Sequence, residues 1–168
     1  MSEHDEEKRF GTVQHLDDGR VSVRFERWLP YPLATVWAAL TEQHQLDAWM
    51  PGVQFERRHG GHYEIWFGGE CEGPAHVRGS VEAFEPPNVL QLGTIRWELS
   101  ETTDGCLLVF TDVLVFQEGR SDAEITNSVL GGWHNYLDLL EDALAGRPVN
   151  HNQPEPDYSA REVPGRSD

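Results

Sequence analysis

Residues 121–146 read SDAEITNSVLGGWHNYLDLLEDALAG, and this stretch decides the fold. Ser121 and Glu124 frame an S-x-x-E capping box, in which each side chain can satisfy the other residue's backbone N–H. Asp122 and Glu124 put negative charge at the positive end of a helix dipole. Gly146, followed by Arg147 and Pro148, is a stop signal, because glycine takes the left-handed cap and proline cannot continue the helix. Between these caps Ile125, Val129, Trp133, Tyr136, Leu137, Leu140 and Leu144 recur at three- and four-residue steps. They form one apolar face on a helix about 36 Å long. Gly131 and Gly132 interrupt it at about 1 kcal/mol each relative to alanine, which points to a close approach by a strand or ligand, or to a kink. A face of this length needs a broad apolar partner. Almost everything before it has strand character, so the partner is a sheet.

Working back from the helix, Leu107 to Phe116 is a β-branched and aromatic run, linked to the helix by Gln117-Glu118-Gly119. Val89 to Leu99 reads as one strand, turned by Thr102 to Gly105. Val77 to Ala83 reads as another, ending at Pro86-Pro87, which does not suit a central strand. Tyr63, Ile65 and Phe67 alternate with His62, Glu64 and Trp66 after a Gly60-Gly61 turn. Gly68-Gly69 and Gly73-Pro74 bracket a loop. Upstream, Leu33, Val36, Trp37 and Leu40 mark a proline-led amphipathic helix, and Leu46, Trp49 and Met50 a second, shorter one. Phe10 to Leu16 and Val21 to Leu29 make a hairpin around Asp17-Asp18-Gly19. Short links between consecutive strands imply an antiparallel sheet. The expected fold class is therefore α+β, with a curved antiparallel sheet wrapped around the long terminal helix. Residues 1–9 and 147–168 are polar, the latter rich in proline, and both are expected to be disordered flanks of a domain spanning 10–146. Removing residues 148–168 is then expected to change stability little.

The charge balance narrows the function. The 168 residues carry a formal net charge of −16. That disfavours phosphate-backbone and anionic-membrane binding, and no nucleic-acid or membrane partner is expected. The acidic start is unlike a signal peptide and no apolar run reaches membrane-spanning length, so the expected location is cytoplasmic. In that compartment Cys71 and Cys106 are expected to be free thiols.

The segments RWLPYPLATVWAALTEQHQLDAWM (27–50), GGHYEIWF (60–67), GSVEAFEPPNVLQL (79–92), DGCLLVFTD (104–112) and GGWHNYLDLLEDAL (131–144) stand in a familiar order. Together, over residues 20–146, they resemble the SRPBCC superfamily of START-like, helix-grip proteins. More narrowly they resemble bacterial homologues of the C-terminal domain of the heat-shock-protein-ninety ATPase activator. The resemblance implies a helix-grip fold with an internal cavity between sheet and terminal helix. It also implies a role among lipid and polyketide binders, cyclases and cochaperone domains. Asp112 stands where many of these homologues carry a histidine, so that residue's role does not transfer.

The expected function is binding of a small apolar, aromatic or amphipathic ligand in that cavity, as a carrier or sensor. The expected ligand contacts are Trp37, Trp49, Phe110, Asp112, Trp133, Tyr136, Leu137 and Leu140, with space left by glycines at 79, 93, 131 and 132. Asp112 shares strand parity with Leu108, Phe110 and Leu114, and Arg96 is a candidate partner for it. One alternative is a cyclase-like enzyme using Asp112 with Tyr63, Tyr136 or His134 as an acid–base set. Another is a cochaperone-like module with a protein partner and an exposed apolar patch. No zinc spacing, nucleophile elbow or phosphate loop is present, so no metal or cofactor is expected.

Overall fold

A computed structural model describes residues 7–67 and 76–161. The Gly68-Gly69 and Gly73-Pro74 bracket and Cys71 fall outside the described residues. In chain order the elements are β1 (Thr12–His15), β2 (Val21–Leu29), α1 (Leu33–Thr41), α2 (Gln43–Trp49), β3 (Val53–Phe55), β4 (His62–Trp66), β5 (His76–Glu85), β6 (Val89–Leu92), β7 (Ile95–Thr102), β8 (Gly105–Val113) and α3 (Asp122–Leu144).

The strands form one eight-stranded sheet in the order β1-β2-β8-β7-β6-β5-β4-β3. All neighbours run antiparallel. Only β2 and β8 are neighbours without being consecutive. Their register runs from Ser22 opposite Val113 to Leu29 opposite Cys106. Alternation along these strands sends Val23, Phe25, Leu29, Cys106, Leu108 and Phe110 into the core. Trp28 points the other way and is 53% exposed. Its indole N–H donates to Thr102 Oγ1 at 3.2 Å.

The structure splits the expected strand over 89–99 into two. Gly93 adopts a φ of +59°, a left-handed conformation that glycine takes without steric penalty. With Thr94 it makes a two-residue turn closed by Leu92 opposite Ile95. β6 and β7 are therefore a hairpin, whose turn signal is weaker than the apolar run around it.

α3 is capped at both ends as its sequence requires. Ser121 Oγ accepts from the Glu124 N–H at 3.1 Å. At the far end Gly146 N–H reaches Ala143 O and Arg147 N–H reaches Asp142 O, at 3.2 and 2.9 Å. This is a Schellman arrangement that satisfies two of the last carbonyls, and Gly146 takes its φ of +71°. The helix is buried on more than the expected face. Leu130, His134 and Leu139 join Ile125, Trp133, Leu137 and Leu140.

The cause lies in the described parts of the two flanks, residues 7–9 and 147–161, which pack on the helix. Tyr158 is 1% exposed. Its hydroxyl accepts the Gly11 N–H at 2.8 Å and meets His134 Nδ1 at 2.8 Å. Arg9 binds Asp138 and Glu141 of α3 at 2.6 and 2.7 Å. The chain from Gly146 to Arg161 is thus fastened across the helix, and its removal would uncover His134. Burial of one large aromatic ring stabilises by about 1.5–3 kcal/mol, and the ion pairs and hydrogen bonds of the flanks act with it.

Candidate functional site

The second half of α3 is closed against the sheet. Leu137 and Leu140 meet Phe110 and Trp49 in the core, and none of the four is more than 1% exposed. The Trp49 indole donates to Ala39 O at 2.9 Å, tying α2 to α1. Trp37 is half-buried on Phe84 of β5, with ring centroids 5.6 Å apart. These five of the eight expected ligand contacts lie outside the cleft described next. Their large side chains fill the space that a cavity would have occupied.

The first half of α3 stands away from the sheet. A cleft of about 630 Å³ opens there, between α3, the start of β7 and the end of β8. Ile125, Val129, Trp133 and Tyr136 line it from the helix, Ile95 and Asp112 from the strands, and Phe67 from the end of β4. Trp133 is the hinge between cleft and core. Its ring lies 4.4 Å from Phe110, 5.9 Å from Trp97, 5.7 Å from Tyr136 and 6.0 Å from Phe67. Asp112, Trp133 and Tyr136 are the expected site residues that the fold brings together.

Asp112 is held by two neutral donors. Thr94 Oγ1–H reaches its Oδ1 at 2.8 Å, and the Trp133 indole N–H reaches its Oδ2 at 3.0 Å. Burial pushes its carboxyl up from the usual aspartate range, and the two hydrogen bonds oppose that rise. Arg96 is not its partner. Arg96 sits opposite Thr111 on the other face of β7 and binds Glu98 and Gln91 at 2.6 and 2.8 Å. The cation reading fails because adjacent residues on a strand point to opposite faces.

Of the expected acid–base partners of Asp112, Tyr136 shares its cleft, whereas His134 and Tyr63 do not line it. His134 lies on the other side of α3 with Tyr158 and Asp138. Tyr63 is 4% exposed and packed over Gly79 and Gly93. A Cβ at Gly93 would stand 2.3 Å from its hydroxyl oxygen, so the volume missing at these glycines is taken by a tyrosine. A Cβ at Gly131 would lie 3.0 Å from Pro156 O, so the close approach there is made by the C-terminal segment. Of the four glycines, Gly132 alone lines the cleft.

The feature that sequence reasoning missed is a charge cluster at the closed end. Arg27 points inward on β2 and is 3% exposed. It binds Asp138 at 2.9 Å and Glu141 at 2.5 Å, while its other terminal nitrogen donates to Arg9 O at 2.9 Å. The i, i+3 spacing of Asp138 and Glu141 was the available signal. Tyr158 receives the Gly11 N–H and so turns its own proton to His134 Nδ1, leaving the imidazole proton on Nε2, 3.4 Å from Asp138 Oδ2. Burial holds the His134 pKa down at about 4, with Asp138 pulling the other way. Among the described residues no group of three or more His, Cys, Asp or Glu side chains is placed to hold a metal, and no helix is long and apolar enough to cross a membrane.

Comparison with known proteins fits this geometry. The sequence profile described as Activator of Hsp90 ATPase homolog 1-like protein matches residues 30–145. The chain belongs to that family. The Activator of Hsp90 ATPase homolog 1-like fold recurs in CalU16 from Micromonospora echinospora, 21% identical with a TM-score of 0.60, over 80% of this chain and 83% of that one. The BPP1335 protein of Bordetella parapertussis is 28% identical with a TM-score of 0.56, over 82% and 79%. DynU16, a protein of the dynemicin biosynthetic locus, is 21% identical with a TM-score of 0.62, over 77% of this chain and 49% of its own. A search of functionally curated proteins finds no match. The fold is thus the helix grip of SRPBCC-type proteins, and the family match stops just before the segment that carries Tyr158.

Proposed function

We propose that this protein binds a small apolar or amphipathic molecule in the side cleft between the first half of α3 and the β7–β8 ends. The observation that carries this reading is the cleft itself. Its volume of about 630 Å³ falls within the roughly 300–1,000 Å³ usual for small-molecule sites. Its lining combines aromatic and aliphatic walls with one half-buried carboxylate held by neutral donors. Trp133 and Tyr136 supply flat apolar contact, and Asp112 orients a hydrogen-bond donor or a positive group on the ligand. The placement of DynU16 in a biosynthetic locus is in keeping with a small-molecule role.

The test is binding of a neutral apolar fluorophore, N-phenyl-1-naphthylamine. One molecule per chain is expected to bind and to quench tryptophan emission. Trp133→Ala is expected to weaken binding about tenfold, equivalent to about 1.4 kcal/mol, while Trp28→Ala on the outer face leaves it unchanged. Absence of binding, or equal effects of the two substitutions, sinks the reading.

A second reading rests on the exposed Val77, Val115 and Phe116, at 39%, 68% and 39%. Val77 and Val115 also line the cleft, so a protein partner would cover its mouth. That reading takes precedence if the fluorophore does not bind.

A further inference from the structure

From residue 147 to Arg161 the chain lies beyond the family match and crosses α3 as a strap. It is fastened at four places. Gln153 Nε2 donates to Asn135 Oδ1 at 2.8 Å. The strap backbone lies on Gly131, where an added Cβ would sit 3.0 Å from Pro156 O. Tyr158 then enters the core, its hydroxyl between Gly11 N–H and His134, its ring edge-on to Phe10 at 5.5 Å. Beyond it the Arg161 guanidinium stacks 3.6 Å from the Phe10 ring and pairs with Glu7 at 2.9 Å.

On either side of Gln153 the strap faces the cleft. His151 and Glu155 line it opposite Asp112. On the helix, Val129, Gly132 and Tyr136 lie midway between Trp133 on the sheet side and Ser128 and Asn135 on the strap side, by the 3.6-residue repeat. All six line the same space. Gly132 carries no side chain to divide it, and a Cβ there would stand 3.9 Å from Glu155 Oε1. The cleft is therefore one trough over Gly132, with a sheet wall and a strap wall.

We infer that the C-terminal strap is the size-determining wall of the binding cleft, held in place by the Tyr158 latch. The inference rests on the ligand-binding reading and adds to it that the ligand's bulk is limited by the distance from Trp133 to Glu155. A molecule that fits the trough binds with the strap closed. A bulkier one binds only when the strap lifts from Gly131.

Two neutral fluorophores of different size test this on the full-length chain: N-phenyl-1-naphthylamine and the larger Nile red. Tyr158→Ala unlatches the strap. Gly131→Ala crowds Pro156 O, shifting the strap slightly while keeping the Tyr158 side chain, and favours the helix, so it separates strap displacement from loss of folding. Tyr158→Ala is expected to bind Nile red about tenfold more tightly than the native chain and Gly131→Ala about threefold, while N-phenyl-1-naphthylamine affinity changes less than about twofold in either. Thermal unfolding of Gly131→Ala is expected to stay cooperative. If both variants leave the preference between the two fluorophores unchanged while Trp133→Ala still weakens the smaller one, the strap is no wall and the binding reading survives alone. If no chain binds either fluorophore, both fall.

Discussion

The two ends of α3 bury charge in opposite ways. Beside its first half Asp112 faces a cleft of mixed apolar and polar lining, with two neutral donors, Thr94 and Trp133, as its hydrogen-bond partners. Toward its end Arg27, nearly inaccessible, is matched by Asp138 and Glu141, which Arg9 braces from outside. An unpaired carboxylate in an apolar wall costs stability and leaves binding capacity unused by the fold. A matched cluster spends that capacity on holding three segments of chain together. The open end is where a ligand can contribute something the protein lacks. The closed end is where removing a partner does damage.

The largest effect is expected from packing at the closed end. Leu140→Ala should lower unfolding free energy by about 3–4 kcal/mol, whereas Val129→Ala, in the cleft, should cost under about 1 kcal/mol. Urea denaturation of the two variants measures the contrast, and equal losses would erase the distinction between the ends. Arg27→Met should cost about 3 kcal/mol, because it strands two carboxylates that Arg9 alone still neutralises. A neutral result would mean the cluster is a solvated ornament.

Acid should act through His134. Its folded pKa of about 4 lies below its ordinary 6.5, so the unfolded chain binds more protons between those values. Stability present above pH 6.5 should therefore fall as pH drops toward 4, by up to about 3 kcal/mol. Asp138 resists this, while Arg27, Arg9 and Arg161 reinforce it. Protonation at Nδ1 would also leave the Tyr158 hydroxyl proton without its acceptor. Asp112, raised by burial, acts in the reverse sense and gains stability as pH falls. Denaturation from pH 7 to 4 in an Asp112→Asn background isolates the histidine, and His134→Gln should flatten the slope. The smallest effect is that of Asp112→Asn itself at pH 7, expected to stay within about 1 kcal/mol of native and to favour the fold. A loss as large as that of Arg27→Met would show that both ends are built alike.

Much of this was legible in the residues. The caps at Ser121 and Gly146, the apolar repeat between them and the inward parity of Asp112 rest on local rules with short periods. The helix grip followed because every strand signal preceded one long helix. The cavity was less legible, because periodicity says which residues face inward and nothing of whether their volumes close the gap. Phe110, Leu137 and Trp49 close it, and Tyr63 fills what Gly79 and Gly93 leave. Tyr158 was illegible for a related reason. A single aromatic among prolines and acids has no period, and its burial depends on Gly11, Phe10 and His134, all remote in sequence. Gly131 signalled a close approach, yet no sequence rule says which segment makes it.

The pairing of β2 with β8 carries a consequence for synthesis. Leu29 meets Cys106 and Ser22 meets Val113, so β2 leaves the ribosome well before its central neighbour exists. At typical elongation rates of about 5–20 residues per second that wait lasts roughly 4–18 s. Until then one edge of β2 is an open template for foreign strands, screened mainly by Arg24 and Glu26 on its outer face. Tyr158 arrives later still and joins a partner 147 residues away. The newborn chain must therefore remain soluble as an incomplete sheet, and its heavy negative charge serves that interval as much as the finished molecule.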